Sequence, residues 1–247
     1  MFRRQILLGL AAIFAVIGAA GYWFYFSPPL SFPNNKQLIS EINRLFPEAK
    51  VSTIQDSIEV DEKRVVVPFI SKDDHYGASY WVWRFHKWQA VYIDTMGQPH
   101  VWKIDRKDPS SYYFVWNIHP RHQLKNIKFY YLRNRNYTVM DGKEFYKSGI
   151  QMEKDVSFEG NDYGVLRLPE EWAASIKSIM KVDAAAQSDL FFQPADPVGM
   201  YFAWTPFGKN GKEKFTEEGI VSGNGYTNGT EDIEYIMVVS EEELQHR

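Results

Sequence analysis

Two stretches decide how this chain is read: YWVWRFHKWQ, residues 80–89, and YFVWNIHPRH, residues 113–122. Both run tyrosine, aromatic, valine, tryptophan, polar, apolar, histidine. Alternate residues of an extended strand face opposite ways. Trp81, Trp83 and Phe85 therefore share one side and Tyr80, Val82, Arg84 and His86 the other. The second copy divides the same way, with Phe114, Trp116 and Ile118 against Tyr113, Val115, Asn117 and His119. A partial third copy, YFAWTPF, stands at 201–207. The large apolar side is a core face, expected under a helix or a second sheet. The mixed side, with Tyr80, Arg84, His86, Tyr113, Asn117 and His119, has the composition of a groove that binds a ligand by stacking and hydrogen bonding. The residues between the copies do not correspond, which argues against a duplicated repeat.

Around these strands the pattern stays β-rich. Runs at 64–70, 78–86, 89–94, 100–105, 111–119 and 127–131 are separated by short turns such as DTMGQP, 94–99, which predicts an antiparallel meander. A further hairpin is expected from 155–158 and 163–168. Two amphipathic helices flank the strands. Leu38, Ile39, Ile42, Leu45 and Phe46 recur at helical spacing after Asn35 and before Pro47. Pro169, Glu170 and Glu171 open a second helix whose apolar face is Trp172, Ile176, Ile179 and Met180. The fold class is α+β with a mainly antiparallel sheet, a single domain over 36–247 with 145–155 as its weakest join.

The first residues place the domain. Residues 6–26, ILLGLAAIFAVIGAAGYWFYF, carry no charge over a length that crosses a bilayer core of about 30 Å as a helix. Arg3 and Arg4 precede this run and no Lys or Arg follows before Lys36, so the positive-inside bias predicts a cytoplasmic end at 1–5, a transmembrane anchor at 6–26 and a domain outside. A cleavable signal peptide fits the small residues 18–21, but cutting there leaves a bare aromatic terminus; an interfacial belt suits YWFYF better. Residues 27–35, with three prolines, read as a stiff stalk.

Charge is segregated under a net value of −3. Residues 84–147 hold twelve Lys/Arg against five Asp/Glu, a balance of +7; residues 148–247 hold eight against eighteen, a balance of −10. Either the two regions face each other or simply solvate the surface, or the basic one, with Arg121, Lys125, Arg133 and Arg135, meets an anionic polymer or headgroup.

Chemistry is scarce. The chain has no cysteine, which removes disulfides, thiolate metal sites and cysteine nucleophiles. His119 and His122 in HPRH lack a carboxylate motif beside them, Asp73-Asp74-His75 reads as a turn, and SIMK at 178–181 lacks the companions of an acylating serine. No metal, cofactor or nucleic acid is implied. The composition therefore predicts a membrane-anchored cell-envelope protein whose outer domain binds or assembles, with the bilayer, an envelope polymer or another membrane protein as partner. The alternative is an exported hydrolase of envelope polysaccharide using acids such as Glu159, Asp162 and Asp196.

Overall fold

The three look-alike strands lie in three different sheets of the computed structural model, which describes residues 2–26, 28–140, 143–158, 162–186, 199–215 and 225–245. The chain begins with α1 (Phe2–Phe26) and α2 (Asn35–Leu45). Strands β1 (Val51–Ile54), β2 (Ile58–Asp61), β3 (Arg64–Ser71), β4 (Tyr76–Arg84) and β5 (Lys87–Asp94) follow, then β6 (His100–Lys103), β7 (Tyr112–Asn117) and β8 (Leu124–Arg133). A separate hairpin, β9 (Asn136–Met140) and β10 (Lys143–Lys147), precedes β11 (Ile150–Ser157), β12 (Tyr163–Arg167) and α3 (Glu170–Ala186). Last come β13 (Met200–Gly208), β14 (Gly225–Thr227), β15 (Asp232–Tyr235), β16 (Met237–Val238) and α4 (Glu241–Gln245).

Mixed α+β architecture with mainly antiparallel sheets is what the chain adopts, but a single meander is not. The first sheet has the order β1-β3-β4-β5-β14, with β2 also on β3; the second is β12-β7-β6-β15; the third is β11-β8-β13-β16. They stack through shared cores. Val65, Val67, Phe69 and Trp81 of the first sheet meet Leu38 and Ile42 of α2. Its opposite side, Val66, Tyr80 and Val82, meets Trp102 and Val115 of the second sheet. Phe114 and Trp116, on the far side of that sheet, meet Phe129, Tyr131 and Trp204 of the third together with Trp172 of α3. Tyr130, Leu132 and Ala203 then face Val239 and Leu244. The interior sides of all three sheets are thus used twice, in keeping with near-continuous apolar runs such as RVVVPF.

Local chemistry explains the ends. Asn34 caps α2: its side chain accepts from the Gln37 N–H at 3.1 Å while Gln37 Oε1 accepts from the Asn34 N–H at 2.9 Å, a reciprocal capping box. Leu38 and Ile42, fully buried, dock α2, each contributing about 1.5–3 kcal/mol. The turn at 94–99 is real but is a corner, not a hairpin, because β5 and β6 belong to different sheets. Asp94 Oδ2 accepts from the N–H groups of Met96 and Gly97, and Gly97 takes φ +66°. The expected pairing of 155–158 with 163–168 does not occur either. β11 pairs with β8 and β12 with β7, since each finds an apolar sheet to extend.

Among the described residues no helix is long and apolar enough to cross a membrane. The transmembrane helix expected at residues 6–26 is therefore not supported.

One residue stitches the first two sheets. Asn117, fully buried, donates through Nδ2 to Gln55 Oε1 at 2.7 Å, the Phe69 carbonyl at 3.1 Å and the Gly77 carbonyl at 2.7 Å. Its backbone packs so close to Gly97 that a Cβ there would stand 1.9 Å from the Asn117 carbonyl oxygen. Replacing Gly97 by Ala should lower unfolding free energy by ~2–4 kcal/mol through this clash and the positive φ. Asn117→Ala should lose about as much by stranding buried acceptors. Denaturant titration of the two variants checks both values, and a loss below about 0.5 kcal/mol in either would show that the sheets are held together elsewhere.

Candidate functional site

The six residues expected on one groove do not share an open surface. β4 and β7 are stacked across a core, not side by side, so the mixed side of β4 is closed by the second sheet. Tyr80 is fully buried, edge-on to Trp102 at 5.3 Å and to Tyr92 at 5.5 Å. Asn117 is buried in the stitch described above, and Tyr113 is half-buried. His86 is not on a strand at all. With Phe85 it forms the two-residue turn between β4 and β5, at φ +58° and +51°. Its ring stacks on Trp23 of α1 at 3.7 Å. Arg84 points to Glu231, and His119 lies at the opposite end of the sheet, beside Asp74.

Arg84 and Glu231 belong to the electrostatic framework of the domain. Glu231, with a side chain only 4% exposed, receives Arg84 Nη2 at 2.5 Å and Trp102 Nε1 at 2.9 Å, with Arg64 Nε at 3.9 Å. Nearby, Lys103, 6% exposed, meets Glu234 at 2.8 Å; Arg106 meets Asp232 at 2.5 Å; Lys128 meets Glu241 at 2.6 Å. The basic middle and the acidic last third thus face each other, the first of the two outcomes the charge pattern allows. The four cations singled out for an anionic partner are divided. Arg121 and Lys125 are exposed at the start of β8, whereas Arg133 and Arg135 lie at its far end. The nearest members, Lys125 and Arg133, stand eight strand positions apart, about 26 Å. Arg133 also donates to the Ser148 carbonyl.

Two sequence motifs converge where neither suggested it. Asp74 of the β3–β4 turn, at φ +60°, sets Oδ2 3.0 Å from His119 Nε2. His119 Nδ1 accepts from the Arg121 N–H at 3.0 Å, and its ring lies 4.4 Å from Tyr76. Both ring nitrogens are occupied, the accepting one by backbone, so the pair clips two turns together and leaves no free base. Asp162 is close by, and burial raises its carboxyl by more than His119 lowers it. Glu159 and Asp196, the other acids considered for hydrolysis, lie outside the described residues.

A second cluster joins the first two sheets, with Asp94 and His100 buried and Tyr235 half exposed. Asp94, 1% exposed, accepts from Tyr235 Oη at 2.9 Å; the Tyr235 ring stands 4.2 Å from His100, and Tyr92 Oη is 3.4 Å from His100 Nε2. His100 Nδ1 faces the Gln98 carbonyl at 2.8 Å, so the neutral ring carries its proton there. Burial pushes the Tyr80, Tyr92 and Tyr235 hydroxyls up and the His100 imidazole down, outweighing the attraction of Asp94 for a charged ring. The one substantial crevice between the second and third sheets among those described, about 190 Å3, is lined by Val101, Tyr112, Tyr131 and Phe202, with the Lys103–Glu234 pair and Tyr235 at its polar side. Burial holds the Tyr131 hydroxyl up at about 12, so it remains a donor. No metal-binding group of three or more His, Asp or Glu is found among the described residues.

Glu231→Ala should cost about 1–3 kcal/mol by stranding the buried Trp102 Nε1 and removing the carboxylate from the partly exposed Arg84, and Glu231→Gln less, since an amide oxygen still accepts from Trp102; chemical denaturation of both variants tests the order. His100 has a folded pKa below its unfolded value, so the unfolded chain takes up its proton first. Its contribution is intact above about pH 6.5 and is lost as pH falls from there toward the folded pKa. The thermal midpoint should therefore drop between pH 7.5 and 5.5, and His100→Gln should flatten that slope. An unchanged slope would assign the titration to another group.

Compared with family models, with curated proteins and with solved structures, the chain matches none.

Proposed function

We propose that this protein is a single-pass, membrane-anchored module of the cell envelope, with residues 6–26 in the bilayer and a domain outside that binds or assembles with an envelope partner. The observation that carries this reading is how the helix joins the domain. α1 is a continuous helix of 25 residues, and residues 6–26 of it hold no charge. Its described side chains stand in the open, with Phe14 72%, Val16 69% and Ile17 61% exposed. Such an apolar surface is costly in water and at home in lipid. The proline segment then docks instead of dangling. Trp88 Nε1 donates to the Leu30 carbonyl at 3.0 Å, and Phe32 packs edge-on against Trp88 at 4.9 Å and Trp81 at 5.9 Å. A domain fastened to the end of an apolar helix suits presentation at a fixed attitude to a membrane.

Binding draws more support than hydrolysis. A glycosidase needs one carboxyl kept protonated beside a second, ionised one. Three acids line the described cavities: Glu234 is tied to Lys103, Asp108 is held below the usual carboxylate range by the Ser110 hydroxyl, and Glu170 stands in the first turn of α3; Asp162, whose carboxyl burial raises, lines none of them. For an anionic polymer, Arg121 and Lys125 form the exposed cationic pair.

The lack of native cysteine makes the topology testable with single introduced thiols. Lys209→Cys should react with a membrane-impermeant maleimide in intact cells, and Gln5→Cys only after permeabilisation, with the protein retained in membranes after an alkaline wash. A mature protein that has lost residues 1–20 by mass would establish the signal-peptide alternative. Purified envelope polymer should co-sediment with the protein, and Arg121→Glu with Lys125→Glu should weaken that several-fold; indifference to the change would remove the cationic pair from the interface.

A further inference from the structure

The tip of the β4–β5 hairpin is built at a conformational loss. β4 and β5 pair up to Arg84 and Lys87, leaving Phe85 and His86 as a two-residue loop with both φ values positive. Such a turn is normally filled by Asn-Gly or Asp-Gly, which tolerate the left-handed region; a bulky aromatic there is an outlier. Backbone strain that nothing in the local fold requires is often held at sites of function. Here the result is display: Phe85 is 52% exposed, whereas Phe69, Phe114 and Phe129 in the three sheets are fully buried.

The second observation is where the tip lies. His86 Nε2 is 2.5 Å from the Trp23 carbonyl, and the two rings stack at 3.7 Å. Behind them Trp83 stands 6.1 Å from His86 and 5.7 Å from Trp88, and Trp88 holds Leu30. Tyr22, Trp23, Leu30 and Phe85, all exposed, therefore gather where helix meets domain. Aromatic side chains concentrate at the headgroup level of a bilayer because one end of the ring system is apolar and the other tolerates water.

From these two observations we infer that the β4–β5 tip is a membrane foot: Phe85 enters the headgroup region of the same bilayer leaflet that the end of α1 leaves, and Trp23 and His86 fix the angle between them. The occupant is a lipid surface, chosen over a protein partner because the tip is stacked on the last turns of the apolar helix. This inference rests on the tether reading, so its test must separate the two.

The full chain, reconstituted in phosphatidylcholine–phosphatidylglycerol vesicles, takes an environment-sensitive fluorophore on single cysteines at Ala12, Phe85 or Lys72. Lys72 lies in the turn at the other end of β4, about 30 Å away by strand length. Nitroxide lipids labelled in the headgroup or deep in the acyl chain serve as quenchers. The expected result is deep quenching at position 12, headgroup quenching at 85 and none at 72. Quenching at 12 with position 85 as accessible as 72 would overturn the foot and leave the tether standing; the tip would then face water or a protein. No quenching at 12 would remove the tether, and the foot with it. Phe85→Asn gives an independent reading. It should raise the thermal midpoint in detergent by a few degrees, by relieving strain, while weakening headgroup quenching of a label at Lys87→Cys. A midpoint that falls instead would show that Phe85 is placed for packing and overturn the proposal.

Discussion

Everything in this domain depends on a carboxylate delivered from far along the chain. Glu231 sits between the first two sheets and satisfies Arg84 and Trp102, 147 and 129 positions earlier. Without it the fully buried Trp102 Nε1 would have no acceptor and Arg84 would lose its carboxylate. The same segment closes the sheets themselves: β14 adds an edge to the first, β15 to the second and β16 to the third. Open sheet edges invite pairing with other chains, and a single stretch of about fifteen residues covers all three on one side. The acidic character of the last third is thus a docking code, read by Arg64, Arg84, Lys103, Arg106 and Lys128 on the strands it covers.

Against that framework, the element positions were legible and the layering was not. Alternation in YWVWRF and YFVWNI marks strands, and Pro169-Glu-Glu marks a helix start, because both signals are local. Alternation says which residues share a side; it is silent on whether the second side meets water or another sheet. Arg84 and Asn117 look like surface residues because their partners, Glu231 on one hand and the Gly77 and Phe69 carbonyls on the other, are remote in sequence. The apolar run RVVVPF was the available hint of burial on both sides. The expected strand at 78–86 overruns the end of β4 by two residues because Phe85-His86 lacks the usual turn residues. β1 and β2 leave little pattern to read because each is only four residues long.

The candidate sites follow the same division. The clip of Asp74 to His119 joins two motifs that were each read as isolated, since 45 residues separate them and only the fold shows the 3.0 Å approach. Segregated charge was legible as a pattern, and the structure pairs Arg84, Lys103, Arg106 and Lys128 of the basic middle with acids of the last third. Arg121 and Lys125 on one side and Arg133 and Arg135 on the other are too far apart along β8 to act as one patch.

The late position of β14, β15 and β16 also governs the order in which the domain can be made. As the chain emerges, each of its three sheets must wait, one edge bare and Arg84 without its counter-ion, until residues near 240 are available. Most pairing is therefore between distant segments, the topology that folds slowly. For some time the nascent domain carries three unpaired edges and a half-covered aromatic core, which are the surfaces that holding chaperones recognise and that aggregation exploits.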